Sequence, residues 1–428
     1  MTSVDARALA DTFAGADPDR PLDPTLVPES PALPAGADPI DADAVTAASV
    51  DQGPRVVEAL RDHLGAQPEW TVDAERGFTW WSGRLATTVV AAPPTSLHGI
   101  SVVRVTTATP LLRDVPASPD LARRLSVANA HAAIDGLVWD PDARTVSLVS
   151  DTWCHAGNAW LDPLVYSAAG LQPAIGDATV DALQAQLGGE VASSAHPTAG
   201  PREEPDELIE AGAAFAAAGD RSTPFTEGDL KALARSPLGL LPFVVHGSDT
   251  LTAEVPYGAD PALPADRSRP DRVRALVDAA RRDRTTPPAA HEADWLAADR
   301  LAAADRLVAT PATPATAFFR VSFGERHPEF GAGLAMRLRI PVHAADEAAA
   351  ADLALLLNRR EIADRKIAPF VGAWTTDGDA PVFVCFFPVP LARGLGSDDR
   401  GAILDTFAAW MRDRARWAAE VTGTATAR

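Results

Sequence analysis

One cassette occurs twice in this chain, and it constrains the fold more than any other feature. In each copy a helix ends, a Trp-bearing strand follows, an Asp-rich turn intervenes, and a second strand rich in β-branched or aromatic residues returns. The first copy runs Gly136-Leu137-Val138-Trp139-Asp140-Pro141-Asp142-Ala143-Arg144 into Thr145–Val149. The second runs Gly372-Ala373-Trp374-Thr375-Thr376-Asp377-Gly378-Asp379 into Ala380–Phe386. Long-range self-similarity sets the building plan of a molecule before local propensity does. The expected fold class is α+β: two related modules, each an antiparallel sheet with helices packed on one face.

The rest of the pattern fills in that plan. Residues 1–50 carry Pro18, Pro21, Pro24, Pro28, Pro31 and Pro34 among acids and small residues, the composition of a mobile lead-in. The first module is expected over 51–187. It opens on a helix whose Val57, Leu60 and Leu64 recur at helical spacing. Strands follow at 78–81, 85–90 and 100–107, then a helix capped by Asp120, the first cassette, and a helix over Asp162–Leu187. Gly, Ser, Ala and Pro crowd 188–204, the expected linker. The second module, 205–428, repeats the order with strands at 243–246, 251–255, 318–323 and 334–342, a helix over Asp346–Arg365, the second cassette and a closing helix from Asp398. It is interrupted by a helical insertion, 257–314. Each half thus reads helix, three-stranded meander, helix, two strands, helix.

Charge and cysteine usage exclude several function classes. A net charge of −20 leaves no basic footprint for a nucleic-acid backbone. The two cysteines, Cys154 and Cys385, make neither a disulfide framework nor a zinc quartet. No apolar run is long enough for a membrane span, and the start lacks the basic and apolar regions of a secretory signal, so the expected location is the cytoplasm.

No candidate chemistry survives its geometry. Cys154-His155 are neighbours on a strand, so their side chains point to opposite faces and share no proton. His291-Glu292-Ala293-Asp294-Trp295 places Trp295 where a zinc helix needs its second His. Gly394-Leu395-Gly396-Ser397-Asp398-Asp399 would set two carboxylates against a phosphate; Ser397 reads as a helix cap. Asp140, Asp142, Asp377 and Asp379 belong to turns too short for a calcium loop. The expectation is no catalytic residue, no metal and no cofactor.

The element order, with Ala128-Asn129 ahead of Gly136–Trp139 and Leu357-Asn358 ahead of Pro369–Trp374, resembles the type III secretion chaperone-like fold and its YbjN-type relatives. The resemblance covers roughly 55–187 and 226–421 without the insertion. It implies a protein-binding adaptor or chaperone whose tandem copies form an internal pseudo-dimer, as a monomer or small homo-oligomer, with a protein or peptide partner. A sheet face left bare by one-sided helices is the expected docking surface, with Trp80, Trp81, Trp139 and Trp374 as its anchors. The alternatives are a hydrolase or transferase with Cys154 or His155 in an inter-module cleft, and a structural subunit of a larger assembly.

Overall fold

The computed structural model describes residues 50–97, 100–155, 162–207, 209, 211–212, 243–246, 250–256, 316–323, 325–363, 369–388 and 400–426. The lead-in, the helices that the sequence pattern places near 205–218 and 226–235 at the start of the second module, the insertion and the Gly394–Asp399 segment lie outside the described residues, in whole or in large part. The described chain is α+β, with two antiparallel sheets and five α-helices. Among these residues no helix is long and apolar enough to cross a membrane.

Helix α1 (Gly53–Leu64) starts with Pro54 in its first turn, buries Val56, Leu60 and Leu64, and stops at Gly65, whose φ of 57° is left-handed. A 3-10 turn, Pro68–Trp70, leads into the first sheet: β1 (Thr71–Ala74), β2 (Gly77–Trp81), β3 (Ala86–Ala91), β4 (Thr95–Leu97) and the long β5 (Ile100–Arg113). Helix α2 (Leu121–Asn129), strands β6 (Gly136–Asp140) and β7 (Thr145–Cys154), helix α3 (Asp162–Leu187) and the short β8 (Glu190–Val191) follow. The order across the sheet is β1-β2-β3-β5-β7-β6, with β4 and β8 paired to β5.

The second sheet contains β9 (Phe243–His246), β10 (Thr250–Pro256), β11 (Thr316–Ser322), β12 (Arg326–His327) and β13 (Gly331–Arg339). After helix α4 (Glu347–Ala363) come β14 (Ala373–Asp377) and β15 (Ala380–Pro388), and helix α5 (Arg400–Thr426) closes the chain. Its order is β9-β10-β11-β13-β15-β14, with β12 on β13.

Alternation along the strands shows where the helices lie. Val103 and Val105 of β5 and Phe78 and Trp80 of β2 are buried with Val165 and Ala169 of α3 and Val56 and Leu60 of α1. Leu111, Val146 and Leu148 are buried with Leu121 and Leu125 of α2 and Val180 and Leu183 of α3. The residues between them, Thr79, Thr88, Arg104, Thr106 and Ala108, are only half-buried, and Val90 is 42% exposed. Helices therefore cover one face of the first sheet. Strand β15 is buried at every residue. Its Phe383, Cys385 and Phe387 enter the core with α5, while Val382 and Val384 pack on Ala132 from the first half.

The halves meet at the inner edges β6 and β14. Helix α2 packs on β14 and helix α4 on β6, so each half covers the other's edge. Asp151 N–H donates to Phe370 C=O at 2.9 Å, and Phe386 N–H donates to Ala133 C=O at 3.3 Å. Gly136 is required here, because a Cβ would fall 2.5 Å from the Gly372 carbonyl oxygen.

Two details depart from the sequence pattern. The first meander has an extra strand, β1, too short and too polar at Asp73 to stand out as a period-2 run. The expected linker, 188–204, is docked on the first sheet: β8 pairs with β5, Ser194 N–H bonds to Arg84 C=O, and Arg202 Nη1 donates to Trp81 C=O at 2.7 Å.

Candidate partner-binding site

The residues proposed as anchors are placed differently by the structure. Trp80 and Trp374 are wholly buried, so they belong to the cores and offer no surface to a partner. Trp374 Nε1–H donates to Glu361 Oε2 at 2.7 Å. Glu361 in turn accepts from Arg414 Nε at 2.7 Å, and the Arg414 guanidinium lies 3.8 Å from the centre of the Phe383 ring. Trp81 does point to the open side of the sheet, but the docked 194–202 segment covers it: its Nε1–H donates to Ser194 Oγ at 3.0 Å and His196 packs edge-on at 4.9 Å. Trp139 is half-buried and packs on the core beneath α2 and α3. The four do not converge.

The nucleophile alternative meets the same obstacle. Cys154 is buried under α3, and burial pushes its thiol up to about 12, so almost no thiolate exists at neutral pH. His155 is also depressed by burial. Asp140 accepts from the N–H groups of Asp142 and Ala143, as a turn residue does. No group of three or more His, Cys, Asp and Glu suited to a metal occurs among the described residues.

What the fold does build is a groove of about 600 Å³ beside the free flank of β1. One wall is Pro68, Glu69, Thr71 and Val72, the other His196–Ala199. β1 is the end strand of its sheet and pairs with β2 alone, Val72 opposite Thr79, so its outer backbone groups have no strand beside them among the described residues. Val72 is 37% exposed and shares a sheet face with Thr79 and Thr88, which places the groove where the edge turns onto the open face.

Both walls are held rigidly. Thr71 Oγ1 donates to Gln67 C=O at 2.8 Å. Opposite, His196 and Gly200 exchange N–H···O=C bonds of 2.9 Å, closing a small loop in which Gly200 takes a φ of 80°. Inside it the N–H groups of Thr198 and Ala199 donate to His196 Nδ1 at 3.3 and 3.0 Å. Arg202 ties the walls together. Its Nη2 donates to Gln67 Oε1 at 3.2 Å and to Asp206 Oδ2 at 3.0 Å, and its guanidinium stacks 5.1 Å from the Trp70 ring centre.

Sequence reasoning missed this site because its second wall looked like a linker. The usable signal was His196-Pro197-Thr198-Ala199-Gly200, a turn-forming run followed by Arg202, with Trp70 upstream as a stacking surface. No protein-family model matches the chain, and neither a curated protein nor a solved structure similar to it is found.

Proposed function

We propose that the chain is a non-catalytic adaptor built from two copies of one chaperone-like module, holding an extended segment of a partner polypeptide along β1. The observation that carries this reading is the preformed, mostly apolar groove against a strand edge that no other strand pairs among the described residues. A free edge supplies a ladder of backbone donors and acceptors for any extended chain, and the flanking pockets select side chains. The occupant is a peptide segment that adds as a further strand, its alternate side chains over Val72 and the Pro197 wall.

The two-copy reading rests on register. The six principal strands follow one order in both sheets, and α2 and α4 fall at the same place in that order. Asn129 pins Leu137 through both backbone groups, and Asn358 pins Trp374 in the same manner. With these as equivalents, Thr107 opposite Ser150 matches Met336 opposite Cys385, and the same number of residues separates Thr107 from Asn129 as Met336 from Asn358. Two backbone bonds that cross the junction, Asp151 to Phe370 and Phe386 to Ala133, then become one contact made twice about an approximate two-fold axis. That arrangement supports reading the chain as an internal pseudo-dimer.

The test is selection of peptides from a random display library on the full-length protein, followed by titration of a selected peptide. Val72→Asp should weaken binding at least about tenfold, a loss of about 1.4 kcal/mol, with unchanged circular dichroism. Methylating alternate backbone nitrogens of the peptide should abolish it. A peptide indifferent to both changes would refute strand addition at β1.

A further inference from the structure

The junction between the halves contains two ionisable side chains that the binding reading leaves without a role. His327, on β12, is 8% exposed and lies between Phe330 and Phe386, with ring centroids at 4.8 and 4.9 Å. Its Nδ1 accepts two backbone N–H groups, from Glu329 at 3.1 Å and Phe330 at 3.2 Å. That fixes the proton on Nε2, which donates across the junction to the His131 carbonyl at 2.7 Å. A second proton on Nδ1 would face two N–H donors at hydrogen-bond distance, and both bonds would be lost. The single tautomer that fits is neutral.

Asp135 is the counterpart in the first half. It is 3% exposed and its Oδ2 has no hydrogen-bond partner. It sits between Ala133, whose carbonyl is bonded to Phe386 of the second half, and Gly136, which abuts the Gly372 carbonyl. Among the described residues the carboxyl's favourable contact is the backbone N–H of its own residue, too little to offset burial of an ionised carboxylate. The charged and titratable groups facing the pair are Glu329 and His131, both exposed at the rim.

We propose that the junction is a proton-dependent contact, tightest while His327 is neutral and Asp135 is protonated, and loosened on either side of that range. The electrostatics agree in sign. Burial, reinforced by the Glu329 charge, pushes the Asp135 carboxyl up to about 7. Its stabilising contribution is complete below the usual carboxylate range and drains away as pH rises from about 4 to about 7. Burial depresses His327, so its contribution is present above the usual imidazole value and is lost as pH falls toward the depressed one. The two side chains come from different halves, so what they gate is the contact between the modules rather than either sheet.

The amides of Asp151 and Phe386, each bonded across the junction, report its opening directly. Hydrogen exchange of the full chain, corrected for intrinsic rates, should show their protection falling several-fold between pH 6 and pH 8, the Asp135 loss outweighing the smaller His327 gain over the same range. Asp135→Asn should flatten that fall, while amides within β13 and β15 pairs keep their protection. His327→Gln should deepen that fall to about tenfold and remove the loss of protection at acid pH, below the usual carboxylate range. Glu329→Gln, at the exposed rim, removes a charge that holds the proton on Asp135, so the alkaline fall should be smaller and end at lower pH without altering the fold. Equal protection at pH 6 and pH 8, or an Asp135→Asn curve identical to that of the unaltered chain, would overturn the proposal.

Discussion

Asn129 and Asn358 do the same work at the ends of α2 and α4. Each side-chain amide both donates to and accepts from the backbone of one residue in the following strand, Leu137 and Trp374 respectively, at 2.7 to 2.9 Å. The clasp replaces a turn: it fixes how a helix hands over to a strand when seven residues intervene in one copy and fifteen in the other. In the register proposed above, Trp374 falls at the place of Leu137, so the two cassette tryptophans are not counterparts.

Removing either clasp leaves a buried N–H and a buried C=O unpaired. Asn129→Ala and Asn358→Ala should each cost about 2–4 kcal/mol, measured as the shift in urea midpoint at constant slope. Asn→Asp at either position should be nearly as costly, since a carboxylate accepts but cannot donate.

The Arg414–Glu361–Trp374 chain is fully buried, and its members depend on one another. Glu361→Ala should destabilise by about 3–5 kcal/mol because it strands a guanidinium in the core. Trp374→Phe, which spares the pair and removes one donor, should cost clearly less. A thermal melt of both variants separates these outcomes.

Core and surface tryptophans are distinguished by the same assay. Trp80→Ala and Trp374→Ala should each lose about 3–5 kcal/mol. Val72→Ser, on the exposed edge, should stay within about 0.5 kcal/mol, which makes Val72 a position where binding can be altered without disturbing the fold.

Cys154 and Cys385 are both buried, and burial pushes each thiol up to about 12. A thiol-specific disulfide reagent at pH 8 should therefore label neither cysteine in the native chain and both after denaturation. Rapid native labelling of Cys154 would reopen the nucleophile alternative.

The α+β element order was legible because its signal is long-range and redundant. Leu121 and Leu125, the β-branched run of β7 and the apolar run of β15 all point to the same hairpin-and-helix unit, and the structure has helices and paired strands there. The docked 188–204 segment was not legible. Its order comes from Ser194 and Arg202 bonding to Trp81 and Gln67 and from His196 packing on Trp81, more than a hundred positions earlier, and such contacts leave no periodicity. The tryptophans misled for a related reason. Alternation on a strand says that Trp80 and Trp81 face opposite sides, but not that a distant loop caps Trp81. The groove, made by that loop and a four-residue edge strand, was hidden with it.

The most direct test of the account is an exchange footprint on the full-length chain with and without a library-selected peptide. Binding along the edge predicts new protection at the amides of Thr71–Ala74 and in the His196–Gly200 loop, with the β6–β14 junction unchanged. Protection gained elsewhere, with β1 as open as before, would contradict it.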